Sequence, residues 1–362
     1  MADLTYLEWA NSAQTDAQIK GAILEPDLPH DYVGAALVVR ASLFFPNAYR
    51  SDVRAEIANC FEQYSAFAGE RLRWITQDGT RPSALKGGRP NTKVFAPKSE
   101  NDLVSAFISS GEKTSDAGLW EFRVFGLMKW QEALPNSGSS VLTFSVPIPF
   151  LTEHPAEFQK LFVDFARRLN VVSGYAGYAV NLSLTEAEAN TPTEYWLSKR
   201  YIGIDVGDPL TVAMHLRSKI KTVSWLTAIN RELLQKLGGN RELSDELPPA
   251  WFAFYDLNGG VVIQAGPMPE AGASADNESK GAPVLPPNYV LVNNALKDVR
   301  VESVWQLQRG LMGAAAPLYG TTAESDEWLR RFDVLADQLS GFKARLLDQP
   351  KLSADSTLGG RL

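Results

Sequence analysis

The chain has 362 residues, 45% of them hydrophobic, with 9 Trp, 17 Phe and 11 Tyr; that is enough to bury a sizeable core and excludes global disorder. Its 42 acidic against 35 basic residues leave a formal charge of −7, which argues against nucleic acid as the main partner and fits a basic one. A single cysteine, Cys60, excludes an internal disulfide, and no apolar run approaches the ~20 residues a membrane-spanning helix needs.

The start, "MADLTYLEWANSAQTDAQ", has no basic segment followed by an apolar one, so no secretory signal is expected and a cytoplasmic location is. "YVGAALVVRASLFFP" then reads as a strand closed by Pro46. In the next stretch Val53, Ile57, Cys60, Tyr64 and Phe67 recur at helical spacing, with Gly69 as the stop and a further strand from Leu72 to Ile75. Cys60 lies on that apolar stripe and is expected to be a small core residue. "SENDLVSAFISSG" reads as a helix and "LWEFRVFGL" alternates like a strand.

Roughly a hundred residues after the first unit, "SVLTFSVPIPF" and "LTEHPAEFQKLFVDFARRLN" repeat the strand–proline–helix pattern, and "SGYAGYAVNLSL" returns as a strand. Thr152 is the expected N-cap of that helix and Phe158, Phe162, Phe165 and Leu169 its buried stripe. "TPTEYWLSKRY" and "VSWLTAINRELLQKLGG" read as helices, the second with Leu226, Ile229, Leu233 and Leu237 on one face. Asn258-Gly259-Gly260 joins two apolar runs and supplies the positive φ values of a tight hairpin. "PPNYVLVNNALKDVRV" reads as helix then strand, and "ESDEWLRRFDVLADQLSGFKARLL" as one long terminal helix. Residues 76–100, 268–288 and 309–322 read as loops.

The fold class expected from this order is α+β, with mixed, largely antiparallel sheets flanked by amphipathic helices in two related α/β halves. The expected division is an N-terminal segment 1–27, a first half 28–150, a second half 151–347 that carries the C-terminal helix, and a disordered tail 348–362.

Catalytic signatures are scarce. His30, His154 and His215 share no ligand spacing, and there is no G-x-S-x-G elbow, Walker loop or G-x-G-x-x-G. Asp205 and Asp208 in "GIDVGDP", with His215, are the best metal-hydrolase candidates, although Gly207-Asp208-Pro209 is also turn chemistry. Glu324, Asp326 and Glu327 read as charge favoured at a helix N-terminus. The basic loop with Arg81, Lys86, Arg89, Lys93 and Lys98 lacks stacking aromatics and reads as a solvated loop. Trp328, Phe332, Leu335, Leu339, Phe342 and Leu346 step by four and three, a seam that either packs on its own core or pairs two copies.

Several segments together resemble the bacterial type VI secretion immunity family of TsiV type: "VPIPFLTEHPAEFQKLFVDFARRLNVVSGYAGYAV", "RYIGIDVGDP", "KTVSWLTAINRELLQKLGG", "VVIQAGPMPEAG", "YVLVNNALKDVRV" and "ESDEWLRRFD". Their order and spacing carry the resemblance from about residue 140 to 333. The sequence departs from the family pattern after Gly272, where Ala273 and a Ser/Ala-rich insertion to Pro286 replace a Gly-Asp pair. The resemblance implies a non-enzymatic protein without cofactor or metal, encoded beside an interbacterial toxin and neutralising it by binding. It further implies a cognate effector of restriction-endonuclease fold, a homodimer, and no direct contact with nucleic acid or membrane. Glu270, Asp276 and Glu278, in a loop, are the candidate partner contacts, and Trp328, Phe332, Leu335, Leu339 and Phe342 the candidate dimer seam. The competing readings are a metal-dependent hydrolase using Asp205, Asp208 and His215, and a non-catalytic adaptor of the secretion machinery.

Overall fold

Side-chain alternation along one long strand organises the molecule. The strands are β1 (Gln18–Lys20), β2 (Val33–Phe45), β3 (Trp74–Gln77), β4 (Ser83–Ala84), β5 (Val104–Ser109), β6 (Glu121–Gly126), β7 (Ser140–Pro147), β8 (Ser173–Leu182), β9 (Leu226–Ile229), β10 (Phe252–Leu257) and β11 (Gly260–Ala265). In this computed structural model, residues 18–25, 27–85, 92–96, 99–273, 283–313 and 316–359 are described. All the strands join one sheet in the order β10-β11-β9-β8-β2-β7-β6-β5-β3-β4, with β1 added against β2, and its ladders are antiparallel. The expected α+β class is therefore the observed one. The boundary near residue 150 falls between β7 and β8, which flank β2 on either side within this continuous sheet.

Successive residues of β2 face opposite sides of the sheet. Val39, Ala41, Leu43 and Phe45 face a core closed by α1 (Ser51–Ala68) and, further along, by α4 (Pro155–Arg168). Between those two helices in sequence come the short α2 (Lys129–Glu132) and α3 (Ile148–Glu153). Ile57, Cys60, Phe61 and Tyr64 from α1 meet Phe158, Phe162 and Phe165 from α4 in that core. Each such buried Phe contributes about 1.5–3 kcal/mol of hydrophobic stabilisation. Gly69 ends α1 at φ 57°, a left-handed conformation that favours glycine.

The opposite face of the sheet is covered by α5 (Ala187–Arg200), α6 (Pro209–Ala213) and residues 301–307 and 319–329. The remaining helices are α7 (Arg231–Lys236), α8 (Asn240–Glu246), α9 (Pro287–Leu296), α10 (Thr322–Leu329) and α11 (Leu339–Arg345). The hairpin at Asn258-Gly259 forms as expected, with φ 52° and 85° at its two turn residues. Its second strand leaves the sheet at Gly266, φ 82°, whose carbonyl accepts from Trp225 Nε1 and Gln264 Nε2 (both 3.0 Å). That exit is architectural.

Four expectations are corrected. "SENDLVSAFISSG" contains β5 instead of a helix: Val104, Ala106 and Ile108 point into the core and Phe107 points away, a period of two. In "VSWLTAINRELLQKLGG" the first part is β9, held between β8 and β11, and only α7 is helical, capped by Asn230 Oδ1 accepting from the Leu233 N–H (2.9 Å). Thr152 is inside α3, donating to the Ile148 carbonyl, so it caps nothing; Pro155 opens α4. The long terminal helix is two helices, α10 and α11. Between them Asp333 accepts from Nη1 and Nη2 of Arg300, both at 2.7 Å.

The tail also differs from the expected disorder over its described part. The Ser356 carbonyl accepts from Gln264 Nε2 (2.7 Å) and Gln159 Nε2 (3.0 Å), and the Leu352 N–H donates to Ala250 (2.8 Å). Residues 352–358 thus dock against two buried glutamine side chains.

Candidate functional site

Beyond α1 and α4 the sheet is apolar, but its other face is polar at the centre. In register across β6, β7, β2 and β8 lie Glu121, Ser145, Arg40 and Gly177, and two residues along each strand lie Arg123, Thr143, Ser42 and Tyr175. Gly177 is required by close approach: a Cβ there would stand 2.1 Å from Ser224 Oγ.

Burying charge is costly unless it is paired and hydrogen-bonded. Asp205 does the pairing. Its Oδ2 accepts from Arg40 Nη2 (2.9 Å) and its Oδ1 from Lys221 Nζ (2.6 Å), with Lys221 0% exposed. Lys221 also donates to the Val206 carbonyl (2.6 Å) and Tyr175 OH (3.3 Å), and Arg40 Nη1 to the Val180 carbonyl (2.8 Å). Nearby, the Arg331 guanidinium stacks 3.5 Å over the Trp328 ring, and burial pushes its pKa down to about 9. Burial alone would raise the Asp205 pKa, but Lys221 and Arg40 hold it below the usual carboxylate value.

Above this network opens a cleft of about 330 Å³, walled by the central strands, α5, α6 and residues 307–309. Two of its carboxyl groups are buried and form no ion pair among the described residues. The Gly118 N–H donates to Glu121 Oε1 (2.8 Å), and the Gly207 N–H (3.1 Å) and Gln308 Nε2 (2.6 Å) donate to Glu194. Burial raises Glu121 to about 8 and Glu194 to about 7, so both are poised to receive a cationic or hydrogen-bond-donating group. Arg123, in the same wall, is engaged with Asp208 (2.9 Å). Neither histidine nor cysteine lines the cleft.

The hydrolase candidates are therefore not brought together. Asp205 is neutralised by two cations, and Asp208 caps α6 while pairing with Arg123. His215 instead meets the Trp305 ring edge-on at 5.4 Å. Among the described residues no group of three His, Cys, Asp or Glu could hold a metal ion. Glu324 forms a capping box with Thr321, as its position at a helix start implies.

Of the expected partner contacts, Glu270 is turned inward: Asn288 Nδ2 donates to its carboxylate (2.6 Å) and its N–H donates to Tyr289 OH (2.9 Å). Asp276 and Glu278 lie outside the described residues, in the insertion that an Ala273–Val284 bridge closes. The expected dimer seam is corrected. Trp328, Phe332 and Phe342 are buried within their own chain, while Leu335, between the helices, is 68% exposed. Leu339 packs on the same internal core, so the break at Asp333 leaves no continuous stripe.

Cys60 is buried and burial raises its pKa well above the ordinary thiol range. We expect no reaction with a thiol-specific disulfide reagent in the native protein and stoichiometric reaction in denaturant; rapid native labelling would contradict this packing.

The cleft residues Arg40, Glu121 and Glu194, and Lys221 buried beside Asp205, were not selected from the sequence. A signal existed for two of them: Arg40 interrupts "ALVVRASLFF" and Glu121 interrupts "LWEFRVF", charges inside strands otherwise built for burial.

The fold and these residues can now be set beside known proteins. The sequence model of TsiV, a family described as type VI immunity for VRR-NUC, matches residues 56–332. The chain belongs to the TsiV family. A solved structure of the Pseudomonas aeruginosa T6SS protein PA0821 is similar at 35% identity, covering 98% of this chain and 99% of that one, with a TM-score of 0.89. No curated protein sequence matches. The TsiV match runs from α1 to Phe332 and so includes Glu121, Glu194, Asp205 and Lys221, while Arg40 precedes it. No helix of the described residues in this TsiV member is long and apolar enough to cross a membrane.

Proposed function

We propose that this chain neutralises a cognate VRR-NUC toxin by stoichiometric binding in the cytoplasm of the producing cell, without making or breaking a bond itself. The observation that carries the reading is the family match over residues 56–332. Charge supports it: a nuclease is basic where it meets DNA, and an inhibitor with a net charge of −7 is steered toward such a surface. Occupying that surface needs shape and a few anchors, and neither cofactor nor metal takes part.

The test is co-expression. The product of the neighbouring reading frame should kill a host when expressed alone, the present chain should rescue it, and the two should co-purify at equal stoichiometry. Rescue without a complex would overturn binding as the mechanism. Survival of cells that lose this chain but keep the toxin would favour an adaptor role. In solution the protein forms a homodimer through a surface other than the Trp328–Phe342 segment; a monomer mass by light scattering at micromolar concentration would refute that.

A further inference from the structure

Trp305, Trp130, Met214 and Leu134 are 69%, 54%, 51% and 50% exposed, four of the nine large apolar side chains standing exposed among the described residues. Three separate segments bring them to one place. Arg217 Nη1 donates to the Leu134 carbonyl (3.0 Å) and to Ser137 Oγ (2.9 Å), fastening the 134–137 turn to the chain just beyond α6. Gly138 lies so close to Met214 that a Cβ on it would stand 2.3 Å from Met214 Cα. His215, the next residue, packs edge-on against Trp305. Trp130 stands one helical turn before Leu134, on the same side of α2 and its continuing turn. A folded monomer gains nothing by exposing such a cluster, and tryptophan is the side chain most enriched among binding hot spots.

The patch is continuous with the cleft. Asp208 and Pro209 at the start of α6 line the cleft, and Met214 at its end belongs to the patch. The segment 305–309 runs the same way, from Trp305 in the patch to Gln308 and Arg309 in the cleft wall. Resting on the immunity reading above, we propose that the cognate nuclease docks over α6, burying Trp305, Met214, Leu134 and Trp130 as its apolar anchor and setting a basic side chain at the carboxyl-lined cleft.

Charge complementarity selects this occupant over a second copy. In the cleft Arg40 and Arg123 are paired with Asp205 and Asp208, whereas Glu121 and Glu194 form no ion pair among the described residues, and Glu188 stands exposed at the mouth, where Arg309 also lies. A basic side chain set against Glu121 and Glu194 would draw off their protons and pair with the carboxylates, which a second copy bringing the same carboxyl-lined wall would not do.

The experiment measures binding of the purified toxin nuclease domain to the full chain by calorimetry, with wild type, Trp305→Ala and Met214→Ser. Leu347→Ala is the control, exposed beside the β10 edge. Both patch variants replace exposed side chains, so melting temperature should stay within a few degrees. Affinity should fall by at least about tenfold in each patch variant and be unchanged in the control. Wild-type affinity retained by both patch variants overturns the docking surface while leaving the immunity reading intact. A wild-type chain that fails to bind the nuclease overturns the immunity reading itself. Conversion of a dimer to a monomer by Trp305→Ala, with nuclease affinity unchanged, assigns the patch to self-association and overturns the proposal.

Discussion

Asp205→Ala should lower the unfolding free energy by about 3–5 kcal/mol, because it leaves Lys221 and Arg40 buried without their shared counter-ion. Lys221 is 0% exposed, so its ammonium would keep the Val206 carbonyl, Tyr175 OH and the nearby Trp328 ring but no counter-ion in contact. Urea denaturation followed by tryptophan fluorescence measures the loss. Combining Asp205→Ala with Lys221→Met should recover part of it, since the second change removes the stranded charge. A single variant as stable as wild type would mean that the cluster does not hold the two faces of the site together. The pH dependence follows with a definite sign. The folded-state pKa of Asp205 lies below its ordinary 3.8, so its stabilisation is present above that value and is lost as pH falls through the folded one. Acid unfolding is therefore expected below about pH 4.

Glu121→Gln should do the opposite at alkaline pH. Burial raises the carboxyl from 4.5 to about 8, and the Gly118 N–H, Arg123, Arg40 and Ser109 only partly oppose this. Its contribution is complete below the unfolded value and declines as pH rises toward the folded one, because the unfolded chain ionises first. Glutamine fills the same space, keeps an acceptor for Gly118 and has no proton to lose. The variant should lie within about 1 kcal/mol of wild type near pH 5 and exceed it by about 2–4 kcal/mol at pH 9, given about 1.4 kcal/mol per tenfold change in proton affinity. Glu194, raised to about 7 by burial with Gln308, Gly207 and Arg40 as opposing partners, contributes in the same direction. Equal stability differences at both pH values would show that Glu121 is ionised in the folded protein.

These two carboxylates illustrate opposite fates of buried acid on one face of the sheet. Asp205 is paired with two cations, which hold its pKa down; Glu121 forms no ion pair among the described residues, and burial raises its pKa. The first fastens the wall of the cleft, and the second leaves the cleft receptive to a cation from outside. An immunity protein needs such a preformed surface, since side chains ordered in advance lower the entropic cost of binding.

The sequence by itself determined the elements whose signal is local. The period of α1, the apolar run of β2 and the positive-φ pair Asn258-Gly259 each depend on neighbours within a few residues, and each appears where expected. The family resemblance was legible for the same reason, through ordered short segments. Short apolar stretches such as β5 and β9 were misread because four to six residues fit either period, and only pairing with β3, β6, β8 and β11 settled them. The terminal seam kept its spacing but is split between two helices, and in the segment between them Asp333 pairs with Arg300, a residue 33 positions away. The cleft as a site and the aromatic patch were not legible, although the charges of Arg40 and Glu121 inside apolar strands were a local signal for two of the residues. The cleft and the patch join Arg40, Glu121 and Glu194, or Trp130, Met214 and Trp305, from distant segments, and only sheet register and tertiary packing bring such residues within range of one another.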